Sequence, residues 1–253
     1  MPEQTTTSQP FSRPPLSTYQ GLAKMIDHSL LRPELNDAQV EAGCHLALDY
    51  NVASVCARPS DADLVVRLLE GSTVAPSSVV AFPHGGAATA VKLYEARDLL
   101  RRGITEVDMV LNIGKLLSRQ FQYVEAEIDE IARACHDAGA ILKVIFENAY
   151  LSDELKVAAC EICMLCQADF VKTSTGFAPS GATRDDLILM KRTVGGVCRV
   201  KAAGGVRTLD GALEVYSLGC DRFGATKTKE ILDDWTARLA QTARIQAGAP
   251  APA

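Results

Sequence analysis

The sequence contains no apolar run approaching the roughly 20 residues of a membrane-spanning helix, so a membrane partner is not expected. It has no basic excess: 26 Lys and Arg stand against 31 Asp and Glu, for a net charge of −5. That balance argues against nucleic acid or an anionic surface as partner. Cysteine is present eight times in 253 residues, about 3%, well below the density of a disulfide scaffold. The opening stretch MPEQTTTSQPFSRPPLSTYQ has no apolar core of a secretory signal, and a reducing cytoplasm with free thiols is the expected setting. The four histidines show no metal-ligand spacing. Cys160, Cys163 and Cys166 spell C-x-x-C-x-x-C inside a helix-like segment, without the fourth cysteine and proline of an iron–sulfur run. Cys56 and the upstream His45 lack any local nucleophile motif. No early G-x-G-x-x-G follows a strand, which weakens a dinucleotide reading. Neither metal nor cofactor is expected.

What is there is a recurrence. Short apolar runs centre near Asp27, Val55, Val80, Asp108, Val144, Val171, Val200 and Phe223, spaced 23 to 36 residues apart and 28 on average. That interval holds one strand, one helix and two short loops. Between the runs lie helix signals: Asn36 and Asp37, Ser152 before Asp153 and Glu154, Thr183 before Asp185 and Asp186, and glycines 139 and 219 at helix ends. Apolar strands alternating with helices imply a parallel sheet. Even spacing and uniform composition favour a single (β/α)8 barrel over an open doubly wound sheet. The boundaries read as a flexible tail over 1–17, the barrel over 18–245 and a second flexible tail over 246–253, the last spelling QAGAPAPA.

Working residues of parallel α/β folds lie at the carboxyl ends of strands. Two patterns emerge there. Lys172 in DFVKTSTG and Lys201 in RVKAAGG occupy consecutive strands. Adjacent strands are about 4.8 Å apart, so inward lysines at one height would hold their amines together. Desolvation and like-charge repulsion both favour a neutral amine, the form that attacks a carbonyl. The other pattern is glycine after the last three strands: Gly176 after Thr175, the pair Gly204 and Gly205, and Gly224 before Thr226. Such turns let backbone N–H groups approach a phosphate. Asp108, set in EVDMVL, is a candidate proton shuttle working with Lys201, or else a structural partner of Lys143 or Lys201. Asp27, Cys56, Lys143 and Thr175 are the candidates for substrate contact; Lys143 could equally pair with Glu147 or Asp108 in a structural network. His84, in FPHGG, either touches substrate or shapes its loop.

The ordered set MIDHSLL, FPHGG, EVDMVLNIG, LKVIFE, ADFVKTSTGF, VKAAGGVRT and RFGAT resembles the deoxyribose-phosphate aldolase family from about Asp27 to Thr226. The resemblance implies a (β/α)8 barrel and a metal-independent class I aldolase that reversibly cleaves 2-deoxyribose 5-phosphate to acetaldehyde and glyceraldehyde 3-phosphate. It implies that Lys172 is the Schiff-base lysine, Lys201 its partner lysine and Asp108 the relay aspartate, with Gly176, Gly204, Gly205 and Gly224 in the phosphate loops. Partners would be the phosphosugar and aldehydes, and a homo-oligomer is compatible with the sequence. Two departures stand out. Thr226-Lys227 follows the last strand where the family often has paired serines, and Asn148 follows Glu147 where a threonine is common. These leave room for a related Schiff-base aldolase or a transaldolase acting on another phosphosugar, and a phosphosugar-binding barrel with structural lysines is the non-enzymatic alternative.

Overall fold

Each of the eight apolar runs forms a strand, and each strand pairs in parallel with the next until the last closes on the first. The computed structural model describes residues 15–246. Helix α1 (Tyr19–Ala23) precedes β1 (Ile26–Leu30), followed by α2 (Asp37–Asp49), β2 (Ser54–Ala57), α3 (Ala62–Leu69) and β3 (Ala75–Val80). Next come α4 (Thr89–Arg101), β4 (Glu106–Val110), α5 (Ile113–Leu117), α6 (Phe121–Asp137), β5 (Ile141–Ile145), α7 (Asp153–Leu165) and β6 (Phe170–Lys172). The chain ends with α8 (Arg184–Val194), β7 (Arg199–Ala202), α9 (Leu209–Ser217), β8 (Arg222–Ala225) and α10 (Thr228–Gln246). The longest interval between runs, from β4 to β5, holds two helices. The expected barrel is therefore present. Of the two expected tails only 15–17 and Gln246 are among the described residues, and Gln246 closes α10; the rest of both lies outside them.

The local signals act as their chemistry requires. Asn36 accepts a hydrogen bond from the Gln39 N–H, and the Gln39 side chain accepts one from the Asn36 N–H, a reciprocal cap. Ser152 and Thr183 cap α7 and α8 through the N–H groups of Leu155 and Asp186. Each such cap is worth about 1 kcal/mol. Gly139 (φ +71°) and Gly219 (φ +92°) end α6 and α9 in the left-handed conformation that glycine adopts without strain.

Alternate strand residues, including Val55, Val107, Val144, Val171, Val200 and Phe223, pack with the helices in one apolar layer. The intervening positions carry buried polar groups: Asp27, Ser54, Ser77, Glu106, Asp108, Lys143, Lys172 and Lys201. A barrel axis is usually filled by branched apolar side chains, so this charged filling is the departure to explain. All eight cysteines are buried and none is in a disulfide. Cys160, Cys163 and Cys166 lie in the core layer, and burial pushes the Cys160 thiol up to about 12. They act as small core residues.

Candidate active site

The strand register sets the site. Lys172 is the cross-strand partner of Lys201, and Asp108 is the partner of Lys143. Lys172 and Lys201 each donate to Asp108 Oδ2 at 2.7 Å. Lys143 donates to the other oxygen, Oδ1, at 2.8 Å, and to Glu106 at 2.6 Å. On the far side, Asp27 Oδ2 lies 2.5 Å from Lys201 and 3.5 Å from Lys143. Asp27 Oδ1 accepts from Arg222 at 2.6 Å. One carboxylate thus sits between three lysines, and a second is shared by two lysines and an arginine.

This arrangement separates the two central amines. Burial, followed by the positive Lys201 beside it, takes Lys172 below the ordinary lysine range, even though Asp108 pulls it the other way. Burial also opposes the charge on Lys201, but Asp108 and Asp27 outweigh it and Lys201 is raised. Burial would raise Asp108; the surrounding lysines, Lys143 first, instead hold it well below the usual carboxylate range. Two lysines in register therefore have opposite tendencies: Lys172 towards a free amine, Lys201 towards a fixed ammonium.

Above this floor opens a cleft of about 170 Å³ at the carboxyl ends of the strands. It is lined by Asp27, Cys56, Lys172, Thr175, Gly176, Lys201, Gly204, Gly205, Gly224 and Thr226. Ten of the twelve candidate residues therefore meet in one cavity. Asp108 and Lys143 lie beneath it, fully buried. The Cys56 thiol is driven up by burial, despite three nearby lysines, which makes it a poor nucleophile. The Thr175 hydroxyl donates a hydrogen bond to Glu147 and accepts one from the Phe177 N–H, so it also anchors the loop after β6. Gly204 (φ +78°) faces Gly181, whose Cα would lie 2.8 Å from any added Cβ. Both loops depend on that approach.

Several sequence expectations change. Of the two partners expected for Lys143, Asp108 is the one found, with Glu106 beside it, while the Glu147 carboxylate binds Thr175. Asn148 is turned away from the cleft, its amide 3.3 Å from the Met190 sulfur. The chain turns left-handed at Glu147 (φ +57°), which breaks the strand's in–out alternation. Lys227 pairs with Glu230 at 2.7 Å on α10 and is absent from the cleft lining. His84 is exposed, and it is not among the lining residues. Sequence reasoning missed Ser29, Arg32, Phe177 and Arg207 in the lining and the pair Glu106–Arg222 below it. Arg207 had a usable signal, since it follows the glycine pair directly in VKAAGGVRT. Among the described residues no group of acidic, His or Cys side chains forms a metal-binding cluster, and no helix is long and apolar enough to cross a membrane.

Comparison with known proteins bears on the same residues. The deoxyribose-phosphate aldolase of Rhodopirellula baltica is 47% identical over 233 residues, 92% of this chain and 93% of its own. That of Clostridium perfringens is 46% identical over 214 residues, 85% and 95% of the two chains. Among solved structures, the aldolase QR15 superposes with a TM-score of 0.82 at 34% identity, covering 87% of this chain and 98% of its own. The tetrameric deoxyribose phosphate aldolase of Aeropyrum pernix gives 0.81 at 29%, covering 87% and 93%. The model of the DeoC/LacD aldolases matches residues 22–225, a span that takes in all eight strands and every lysine and carboxylate of the barrel axis. The chain belongs to the DeoC/LacD aldolase family.

Proposed function

We propose that this protein is a metal-independent class I aldolase that cleaves 2-deoxyribose 5-phosphate reversibly to acetaldehyde and glyceraldehyde 3-phosphate. The observation that carries the reading is the pair of lysines on one aspartate oxygen, with Lys172 lowered and Lys201 raised. The curated relatives named deoxyribose-phosphate aldolase support the substrate.

Neutral Lys172 attacks the sugar aldehyde, and its nitrogen forms a carbinolamine. Lys201, held as an ammonium, gives its proton to the departing hydroxyl, and water leaves an iminium on Lys172. Lys201 is now a free amine beside Asp108, ready to take the C3-hydroxyl proton directly or through water. As that proton leaves, the C2–C3 electron pair moves into the iminium. Glyceraldehyde 3-phosphate departs and an enamine remains. Protonation at C2 and addition of water release acetaldehyde and restore Lys172. The iminium is the electron sink, and acid–base groups of this kind contribute roughly 10²–10⁴ in rate.

The sugar phosphate is assigned to the rim formed by Gly176, Gly204, Gly205, Gly224 and Thr226, with Arg207 adding a positive charge. Thr226 also stands just before the N-terminus of α10, the end of a helix that favours anions. Asp27, Cys56, Lys143 and Thr175 border or underlie the sugar. A cytoplasmic setting is supported by eight buried cysteines that form no disulfide, and a homo-oligomer by the tetrameric relative. The test is cleavage of 2-deoxyribose 5-phosphate against 2-deoxyribose, with and without EDTA. Strong preference for the phosphate and indifference to EDTA are expected. Equal efficiency on both sugars would remove the phosphate site, and loss of activity in EDTA would remove the class I assignment.

A further inference from the structure

Seven charged side chains share the barrel axis: Asp27, Glu106, Asp108, Lys143, Lys172, Lys201 and Arg222. Their side chains are 0 to 15% exposed. Three are carboxylates and four are cations, so with every group ionised the enclosed set carries one surplus positive charge. If one lysine is neutral, the set balances. An uncompensated charge in such a place is expensive, so the geometry decides which proton is given up.

Arg222 cannot give one up, because guanidinium keeps its proton in proteins. Lys143 has three carboxylates, Glu106 at 2.6 Å, Asp108 at 2.8 Å and Asp27 at 3.5 Å. Lys201 has two, Asp27 at 2.5 Å and Asp108 at 2.7 Å. Lys172 has Asp108 alone, on an oxygen it shares with Lys201. Arg222, at the start of β8, bridges Asp27 (2.6 Å) and Glu106 (3.3 Å) from below.

We propose that Arg222 is a positioning residue for catalysis: by neutralising carboxylate charge at the floor of the barrel, it makes Lys172 the surplus cation and so keeps the nucleophile uncharged. The inference rests on the reading of Lys172 as the Schiff-base lysine. Lys143, Lys201 and Arg222 are all raised by their carboxylates against the cost of burial, and Lys172 alone of the four is lowered.

Lys172 is faced by Cys56 from β2, Asp108 from β4 and Lys201 from β7, with Lys143 of β5 and Asp27 of β1 one ion pair away. Arg222 is faced by Asp27 from β1, Glu106 from β4 and Lys143 from β5. Phe170 of β6 lies under it and Arg199 of β7 beside it, and Lys24 before β1 also feels its charge. Arg199 has Asp169 at 3.7 Å, and Lys24 is hydrogen-bonded to Asn51, Val52 and Thr73. Neither changes the count among the seven.

Charge counting gives opposite effects for two neighbours, which a loss of packing would not. The measurement is the pH dependence of kcat/KM for 2-deoxyribose 5-phosphate, whose acid limb follows Lys172 in the free enzyme. Arg222→Met lets a charged Lys172 balance the set, and the limb should move up by about one pH unit. Glu106→Gln removes an anion, and the limb should move down. The double variant Arg222→Met/Glu106→Gln restores the count and should return it towards wild type, and Arg222→Lys should hold it there. An unmoved limb in Arg222→Met, or shifts of the same sign in both single variants, overturns the proposal. If Arg222→Met does not fold, near-isosteric Glu106→Gln decides alone: a downward shift upholds the proposal, and no shift or an upward one ends it. Borohydride trapping with acetaldehyde separates the two levels. An adduct on Lys172 with unmoved limbs ends only the role of Arg222, whereas no adduct on wild-type Lys172 ends both.

Discussion

Lys172 and Lys201 stand in register on adjacent strands and donate to the same oxygen of Asp108, each at 2.7 Å. Their environments nonetheless pull apart, because Lys201 also reaches Asp27 at 2.5 Å and Lys172 does not. In the proposed reaction, that difference of one carboxylate is what suits Lys172 to attack and Lys201 to proton transfer.

Removing the second amine should therefore injure the chemistry in two ways. Lys201→Met is expected to lower kcat/KM by about 10²–10⁴-fold, the usual contribution of an acid–base group. It should also shift the acid limb to higher pH, because a positive neighbour that held Lys172 down is gone. Steady-state kinetics across pH checks both, and a loss under tenfold would contradict the assigned role.

Beyond its proposed part in the relay, Asp108 is the shared ion-pair partner of Lys143, Lys172 and Lys201. Asp108→Asn leaves three buried amines without their shared anion, and breaking a buried pair costs about 3–5 kcal/mol. Urea unfolding at neutral pH should show that loss alongside the loss of turnover. Wild-type stability in this variant would mean that the lysines are not paired as described.

Acid sensitivity should begin at a buried histidine outside the charged barrel axis. His28 shares a hydrogen bond with Thr228 at 2.8 Å, and burial takes its pKa from 6.5 to about 4. Between those values the unfolded chain binds a proton that the folded ring refuses. Stability is whole above pH 6.5 and falls as the pH drops towards 4, by at most about 3 kcal/mol. Asp27 and Asp108, both lowered, act further down: their contribution is present above about pH 4 and is lost at still lower pH. In His28→Gln, the difference between urea midpoints at pH 7 and pH 5 should shrink; an unchanged difference would remove His28 as the cause.

The proposed phosphate rim is testable through its glycines. Gly204→Ala places a Cβ against the Gly181 Cα and strains a backbone at φ +78°, at a cost of about 1–2 kcal/mol. KM for 2-deoxyribose 5-phosphate should rise, with little change for 2-deoxyribose. Equal effects on both sugars would point to general damage to the cleft.

The eight strands were legible because the helix-facing residues of each make a short apolar run, and the 28-residue interval admits little but a strand and a helix. The paired lysines were legible because each interrupts such a run. What stayed hidden was the depth of the charged axis. Glu106 and Arg222 stand at the first position of β4 and β8, where a charged residue ordinarily reads as a solvated strand end. Only closure of the barrel, pairing β1 with β8, brings Arg222 to Asp27. The place of Asn148 was not legible for a local reason: the chain turns left-handed at Glu147, and the next side chain meets Met190. Lys227 forms a surface ion pair with Glu230, three residues on.

The most direct test of the account is reductive trapping: acetaldehyde and borohydride are added to the wild-type enzyme, and the modified peptide is located by mass spectrometry. The account predicts an ethyl group on Lys172 and an intact Lys201. Modification of Lys201 in place of Lys172, or no modification of either, would contradict it.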